Sequence, residues 1–287
     1  MAGIRKSAWH NGNIKLAHTV SGAARWTAAA ARSCAAKTRA AADAWQRTTV
    51  GLVFPGACVH CRAELNADEA RTVHVPFCAA CYDQLDLLAE PTCRQCGGPL
   101  PRLSNAAPRG CFRCRGRKLW FNETVAAGLY AGLLRELVLR MKRSEGDPLS
   151  LAMGDLVWQQ CGERLAALEA DVVVPIPLHW RRRLAHRTNS ACVLAETFSR
   201  RLRVRLAERL LLRRRHTMRQ AELTPPQRWE NVRRAFSVRA GYHLEKAHVL
   251  LVDDILTTGA TCSEAARALR RAGAGRVTAV VAARAIG

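Results

Sequence analysis

Two groups of residues in this chain of 287 have types and spacings that could do chemistry. The first is the run Val249-Leu250-Leu251-Val252-Asp253-Asp254-Ile255-Leu256-Thr257-Thr258-Gly259-Ala260-Thr261. Its four consecutive apolar residues read as a buried strand. Two adjacent carboxylates then fall at the strand's C-terminal end, where open α/β sheets place their ligands. The loop from Thr257 to Thr261 offers hydroxyls and free backbone N–H groups. Ser263 to Leu269 continues as a helix, and a helix N-terminus behind small residues is a ready phosphate site. Carboxylates beside a phosphate cradle suit a phosphorylated sugar. Asp253 and Asp254 would hold its hydroxyls, while Thr257, Thr258, Gly259, Ala260 and Thr261 would hold its phosphate. The bland alternative is a strand-turn-helix in which Asp254 merely caps the turn.

The second group is made of cysteines. Eight of the twelve fall into four Cys-x-x-Cys pairs: Cys58/Cys61, Cys78/Cys81, Cys93/Cys96 and Cys111/Cys114. Each pair can present two thiolates to one ion, and two such knuckles complete a tetrahedral site. Two structural Zn²⁺ ions are therefore expected. Loop closure favours joining the first pair with the second and the third with the fourth over an interleaved scheme. No other carboxylate or His is placed to leave an open coordination position, so the sites read as structural, with thiol redox chemistry a lesser alternative. His60 and His74 read as loop residues.

Metal-binding thiolates point to a reducing compartment, the cytoplasm, rather than a disulfide scaffold. Residues 1–50 contain no apolar signal-peptide core, and no run approaches a membrane span, so no membrane insertion is expected. The formal net charge is +22, and it is local. Residues 181–239 hold seventeen Arg against four acids, and residues 1–50 hold eight basic residues against the single acid Asp43. Density of this kind usually answers phosphate, as nucleotide, sugar phosphate or nucleic acid.

The chain divides into a basic, Ala-rich extension (1–48), a cysteine module (49–118) and an α/β domain (119–287). Within the last, Tyr130, Leu133, Leu134, Leu137, Val138 and Met141 recur at helical spacing, closed by Lys142 and Arg143, whose charges suit the helix C-terminus. A second helix is expected over 149–168. Asp171 to Pro177 reads as a short β-branched strand stopped by its prolines. Helical periodicity returns over 190–202, with a short strand near 205–212. Residues 213–235 have the composition of a long functional loop. Phe236 to Val238 reads as a strand, and 249–283 as one right-handed βαβ unit.

The acidic-acidic-Thr-Thr-Gly run resembles the signature of the type I phosphoribosyltransferases. The order of parts over about 51–287 resembles the ComF family of phosphoribosyltransferase-like proteins. The likeness begins at Val50-Gly51-Leu52-Val53-Phe54-Pro55 before the first knuckle and continues through Leu139-Arg140-Met141-Lys142. It takes in Val174-Pro175-Ile176-Pro177-Leu178, Arg215-His216-Thr217-Met218-Arg219-Gln220 and the closing Ala282-Ala283-Arg284. One segment departs: Arg187-Thr188-Asn189-Ser190-Ala191 stands where the family usually has Arg-Gly-Phe-Asn-Gln.

The resemblance implies an α/β fold with a parallel-rich sheet flanked by helices behind a zinc-ribbon module. It also implies phosphoribosyl diphosphate as ligand, with Mg²⁺ reached through Asp253 and Asp254. The departing diphosphate gathers negative charge, for which Arg181, Arg182, Arg183, Arg215 and Arg228 are sensible stabilisers. Nothing in the sequence identifies an acceptor. A second reading, also implied by the family, is a non-catalytic accessory of DNA uptake that binds single-stranded DNA or a competence protein. Against it, the Arg-rich region offers few aromatics beyond Trp180, Phe198, Trp229 and Phe236.

Overall fold

The computed structural model describes residues 56–65, 75–101, 111–143, 147–178, 189–215, 217–218 and 220–286. The expectations for the extension and for Val50–Pro55, His74, Arg181–Arg183 and Arg187–Thr188 lie outside them.

Five strands form one sheet in the order β1-β7-β6-β2-β3, all parallel: β1 (Glu123–Leu129), β2 (Val172–Pro175), β3 (Arg205–Leu206), β6 (His248–Leu256) and β7 (Arg276–Arg284). The central β6 is apolar from Val249 to Val252 because both of its faces are covered. Leu250 and Val252 face the core built by α2 (Gly132–Met141), α3 (Asp147–Ala166) and α4 (Ser190–Leu202). Val249 and Leu251 face the opposite side, with Cys262, Ala265, Ala266 and Leu269 of α6 (Ala260–Arg271). Alternation at period two thus divides one apolar run between two cores.

The chain leaves β6 through α6 toward β7, and leaves β2 through α4 toward β3, on opposite sides of the β2–β6 pair. That divergence opens a crevice at the carboxyl ends of these two strands, a topological switch point. Asp253 and Asp254 lie there.

Two expectations need correction. The stretch 205–212 is not one strand. Arg205–Leu206 joins the main sheet, whereas β4 (Leu211–Arg213) pairs antiparallel with β5 (Phe236–Val238). Glu208 to Leu210 turn the chain between them. Residues 213–235 are also not a plain loop. They contain a 3₁₀ turn at Gln220–Glu222 and a helix, α5 (Pro225–Val232). Thr224 starts that helix, its backbone N–H donating to Gln227 Oε1 at 2.9 Å, and prolines fill the first turn, where no N–H partner is needed.

The first half of the cysteine module, including α1 (Ala79–Tyr82), is continuous with the main core. Cys58, Val75, Phe77, Cys81 and Leu85 belong to the same buried cluster as α2 and α3. The link between the halves and the start of the second half lie along β1: Leu129 N donates to Asp86 O at 2.7 Å, Leu88 N to Ala127 O at 2.9 Å and Thr124 N to Arg94 O at 2.9 Å. Buried Glu123 adds ion pairs to Arg94, Arg164 and Arg276 at 3.3, 3.0 and 2.8 Å. No helix among the described residues is long and apolar enough to cross a membrane.

Candidate functional site

The eight knuckle cysteines form two clusters, Cys58-Cys61-Cys78-Cys81 and Cys93-Cys96-Cys111-Cys114, within each of which the sulfurs lie within 4.8 Å of one another. Measured edges are 3.7 Å for Cys61–Cys78, 3.8 Å for Cys93–Cys114, 3.5 Å for Cys96–Cys111 and 3.9 Å for Cys111–Cys114. A disulfide would need about 2.05 Å. Four thiolates about 2.3 Å from zinc would stand about 3.8 Å apart, so these edges fit a tetrahedral ion. The grouping follows the sequential scheme.

Local backbone favours the thiolate at one ligand of each cluster, while burial and the neighbouring sulfurs push the thiols of Cys81 and Cys114 up. Burial pushes the Cys58 thiol up, but N–H groups of Cys78, Cys61 and His60 outweigh it and bring the thiol down to about 6. Cys111 is likewise lowered to about 7, against burial, chiefly by the Arg113 N–H. Gly97 follows its knuckle at φ 68°, with the Thr124 side chain only 2.8 Å from where a Cβ would stand. No larger residue fits that turn.

The second site is the crevice at the end of β6. Asp253 is turned inward: its Oδ1 takes the Asp254 N–H at 2.9 Å and its Oδ2 faces the Cys262 thiol at 3.8 Å. Burial, then the Asp254 charge, push its carboxyl up to about 7. The same burial and the two aspartates hold the Cys262 thiol protonated. Asp254 is the outward partner. Its Oδ2 receives Lys142 Nζ at 3.0 Å and Ser190 Oγ at 3.4 Å. Burial pulls the Lys142 ammonium down, but Asp254 and then Asp253 more than offset this, so it lies above its ordinary value.

Beyond the carboxylates, Gly259 turns the loop at φ 80° and α6 starts immediately after it. The N–H groups of the first helical turn therefore lie at the crevice mouth, that of Ala260 donating to Thr258 Oγ1 at 3.4 Å. Thr261 Oγ1 accepts Gln220 Nε2 at 3.1 Å, which fastens the 3₁₀ turn over the loop. Arg228 Nε in turn holds the Gln220 and Leu223 carbonyls at 2.9 and 3.0 Å. Arg215 donates to the Asn231 carbonyl at 3.0 Å. Both arginines thus brace the segment that covers the loop. The structure brings Asp253, Asp254 and Thr257 to Thr261 together, with Arg228 linked to them through Gln220 and Arg215 farther out along α5.

Residues 188–286 match the phosphoribosyl transferase domain family, and residues 49–116 match the double zinc ribbon domain. Competence protein F of Haemophilus influenzae is 26% identical over 224 residues, covering 77% of this chain and 93% of that protein. DNA utilization protein YhgH of Escherichia coli is 29% identical over 229 residues, covering 79% and 96%. The chain therefore carries a double zinc ribbon followed by a phosphoribosyl transferase domain. A crystal structure from Thermus thermophilus, 20% identical, covers 43% of this chain and 72% of its own with a TM-score of 0.25, too slight a likeness to bear on the fold.

Two residues of the crevice carry no local site signal in the sequence. Lys142 reads from sequence as a helix-end charge, yet it reaches Asp254. Its position in the family-like Leu139-Arg140-Met141-Lys142 segment was the available signal. Ser190 belongs to the segment that departs from the family pattern. It contacts Asp254, while the neighbouring Asn189 donates to Ile176 O at 3.0 Å.

Proposed function

We propose that this chain binds phosphoribosyl diphosphate with Mg²⁺ in the crevice between β2 and β6, and that the site is built to transfer the ribosyl phosphate to an acceptor. One observation carries the reading: two carboxylates precede a phosphate cradle at the switch point, and the outer one already holds a cation, Lys142. The loop Thr257–Thr261 takes the 5-phosphate on backbone N–H groups and threonine hydroxyls. Asp254, with one carboxylate oxygen committed to Lys142 and Ser190, presents the other to the ribose hydroxyls. Asp253 holds Asp254 in place through its backbone N–H. Asp254, with Asp253 behind it, would hold Mg²⁺, which would supply positive charge against the departing diphosphate. Lys142 adds a positive charge where the diphosphate departs, and the segment around Arg228 and Gln220 screens the cradle from water.

Calorimetric titration with phosphoribosyl diphosphate, with and without Mg²⁺, tests this. Mg²⁺-dependent binding that vanishes in the Asp253→Asn/Asp254→Asn double variant is expected. No binding by the folded, zinc-loaded protein would overturn the reading.

A second reading, a single-stranded DNA partner, gains support from the second ribbon. Phe112 there is 76% exposed with Arg113 stacked 4.4 Å from its ring, and Lys118 lies 4.8 Å from the ring of Trp120. Arg117 and Lys118 also line an open groove of about 390 Å³ with Pro225, Pro226 and Trp229 of α5. Rings and cations in this arrangement are what single strands use, and of these rings only Trp229 belongs to the Arg-rich segment. DNA binding that falls steeply with salt and is lost in Phe112→Ala/Trp120→Ala would favour this reading; salt-insensitive or absent binding would remove it.

A further inference from the structure

Arg284 closes the last strand and takes no part in the crevice chemistry, yet it is among the most committed side chains of the molecule. It is 7% exposed. Its Nε donates to Cys96 O at 2.6 Å, and its NH1 donates to Leu256 O at 2.9 Å and to Thr257 O at 2.7 Å. NH1 also contacts the Ala285 carbonyl. Among the described residues it has no carboxylate partner. A buried guanidinium without an ion pair is costly unless its N–H groups meet well-placed acceptors. Here the acceptors are main-chain carbonyls, so the charge is satisfied only while the backbone at Cys96, Leu256 and Thr257 holds its present course.

Those carbonyls come from two places. Cys96 is a ligand position of the second four-cysteine cluster, and Leu256–Thr257 is the entrance to the phosphate cradle. An independent apolar route joins the same two places. Leu119, five residues beyond Cys114, packs against the second cluster, and it stands 3.5 Å from where a Cβ on Gly259 would be, as does Phe121. Trp120 N then donates to buried Ser263 Oγ at 3.1 Å in the first turns of α6. Among the described residues the first cluster makes no such link to the loop: it meets Arg140 of α2, on the helix that carries Lys142 to Asp254, and the α2–α3 core.

We infer that Arg284 is a positioning residue through which zinc in the second ribbon, and not in the first, fixes the shape of the phosphate cradle. The inference rests on the cradle reading for its functional meaning, but its structural half needs no ligand. With zinc in place, the knuckle holds Cys96 O toward Nε and the guanidinium is spanned between knuckle and loop. Without it, the knuckle relaxes, the guanidinium loses an acceptor and the loop entrance loosens.

Hydrogen exchange of the full chain over residues 256–263 reads this directly. Cys61→Ser and Cys96→Ser each remove one zinc equivalent. Exchange in that segment is expected to rise about tenfold beyond the rest of the sheet in Cys96→Ser, the size expected for losing one charge-assisted bond, and to rise no more than the rest of the sheet in Cys61→Ser. Arg284→Lys, which keeps the charge but not the span, should loosen the same segment with zinc content intact. Should Cys96→Ser fail to fold, graded chelation of Cys61→Ser, which retains only the second site, gives the same readout. Unchanged exchange on loss of the second zinc, or equal loosening from either site, would overturn the inference. Loosening in a protein that never binds phosphoribosyl diphosphate would leave the coupling standing and remove the function proposed for the crevice.

Discussion

Lys142 and Asp254 meet at 3.0 Å across 112 residues of sequence, one from the end of α2 and the other from the end of β6. This contact makes α2 part of the crevice rather than only part of the core. It also supplies a cation that is in place before any ligand arrives. Lys142→Met should weaken phosphoribosyl diphosphate binding about tenfold or more, the scale of one hydrogen bond to a charged group. The thermal midpoint should hardly move, since the side chain is close to half exposed. Calorimetry and thermal unfolding on the same preparation check both parts. Full affinity in the variant would return Lys142 to the role of a solvated helix end.

The two aspartates should respond differently to amide substitution. Asp254→Asn is expected to abolish Mg²⁺-dependent binding while leaving the folded signal intact, because the group sits at the crevice mouth. Asp253 uses both oxygens internally, so Asp253→Asn should disturb the strand end as well as the ligand. Circular dichroism beside titration separates the outcomes; equal effects of the two variants would contradict the inward and outward assignment.

Asp253 also gives a pH signature. Its carboxyl, raised to about 7 in the fold, titrates near 4 when unfolded. Folding therefore favours the protonated form: this stability is complete below about pH 4 and is lost as pH rises through about 7. Asp253→Asn lacks the effect. The thermal midpoint of the variant should gain on the parent by roughly 5 °C between pH 5 and pH 8. A gap that stays constant or narrows over this range would refute the assignment.

Metal removal should act differently on the two ribbons. The first shares its buried residues with α2 and α3, so Cys58→Ser should raise hydrogen exchange across residues 132–141 and lower the melting temperature of the whole chain by several degrees. Confinement of the loss to residues 56–85 would show that the shared core is not cooperative.

Much of this could be read from the residues. Val249–Val252 is apolar at every position because the strand is covered twice, and that pattern is visible without coordinates. The helix expected over 190–202 has those bounds in the structure. The segment around α5 reads as a loop because its polar face and two prolines hide a start signal, Thr224 with Gln227 three residues on, that periodicity does not register. Lys142 and Ser190 were missed for another reason: their partner lies in a different element, and no local pattern encodes a contact made by the closing of the sheet. The carbonyl ligands of Arg284 were illegible for the same cause, since main-chain acceptors leave no mark in the sequence.

The three main-chain bonds along the outer side of β1 have a further consequence. A strand at the rim of a sheet leaves a row of amides and carbonyls free, a template on which another copy can add itself. Here Asp86, Leu88 and Arg94 occupy that row. The cysteine module therefore also acts as a guard rail against edge-to-edge association. A chain whose ribbons have lost their zinc should become adhesive before it becomes unfolded.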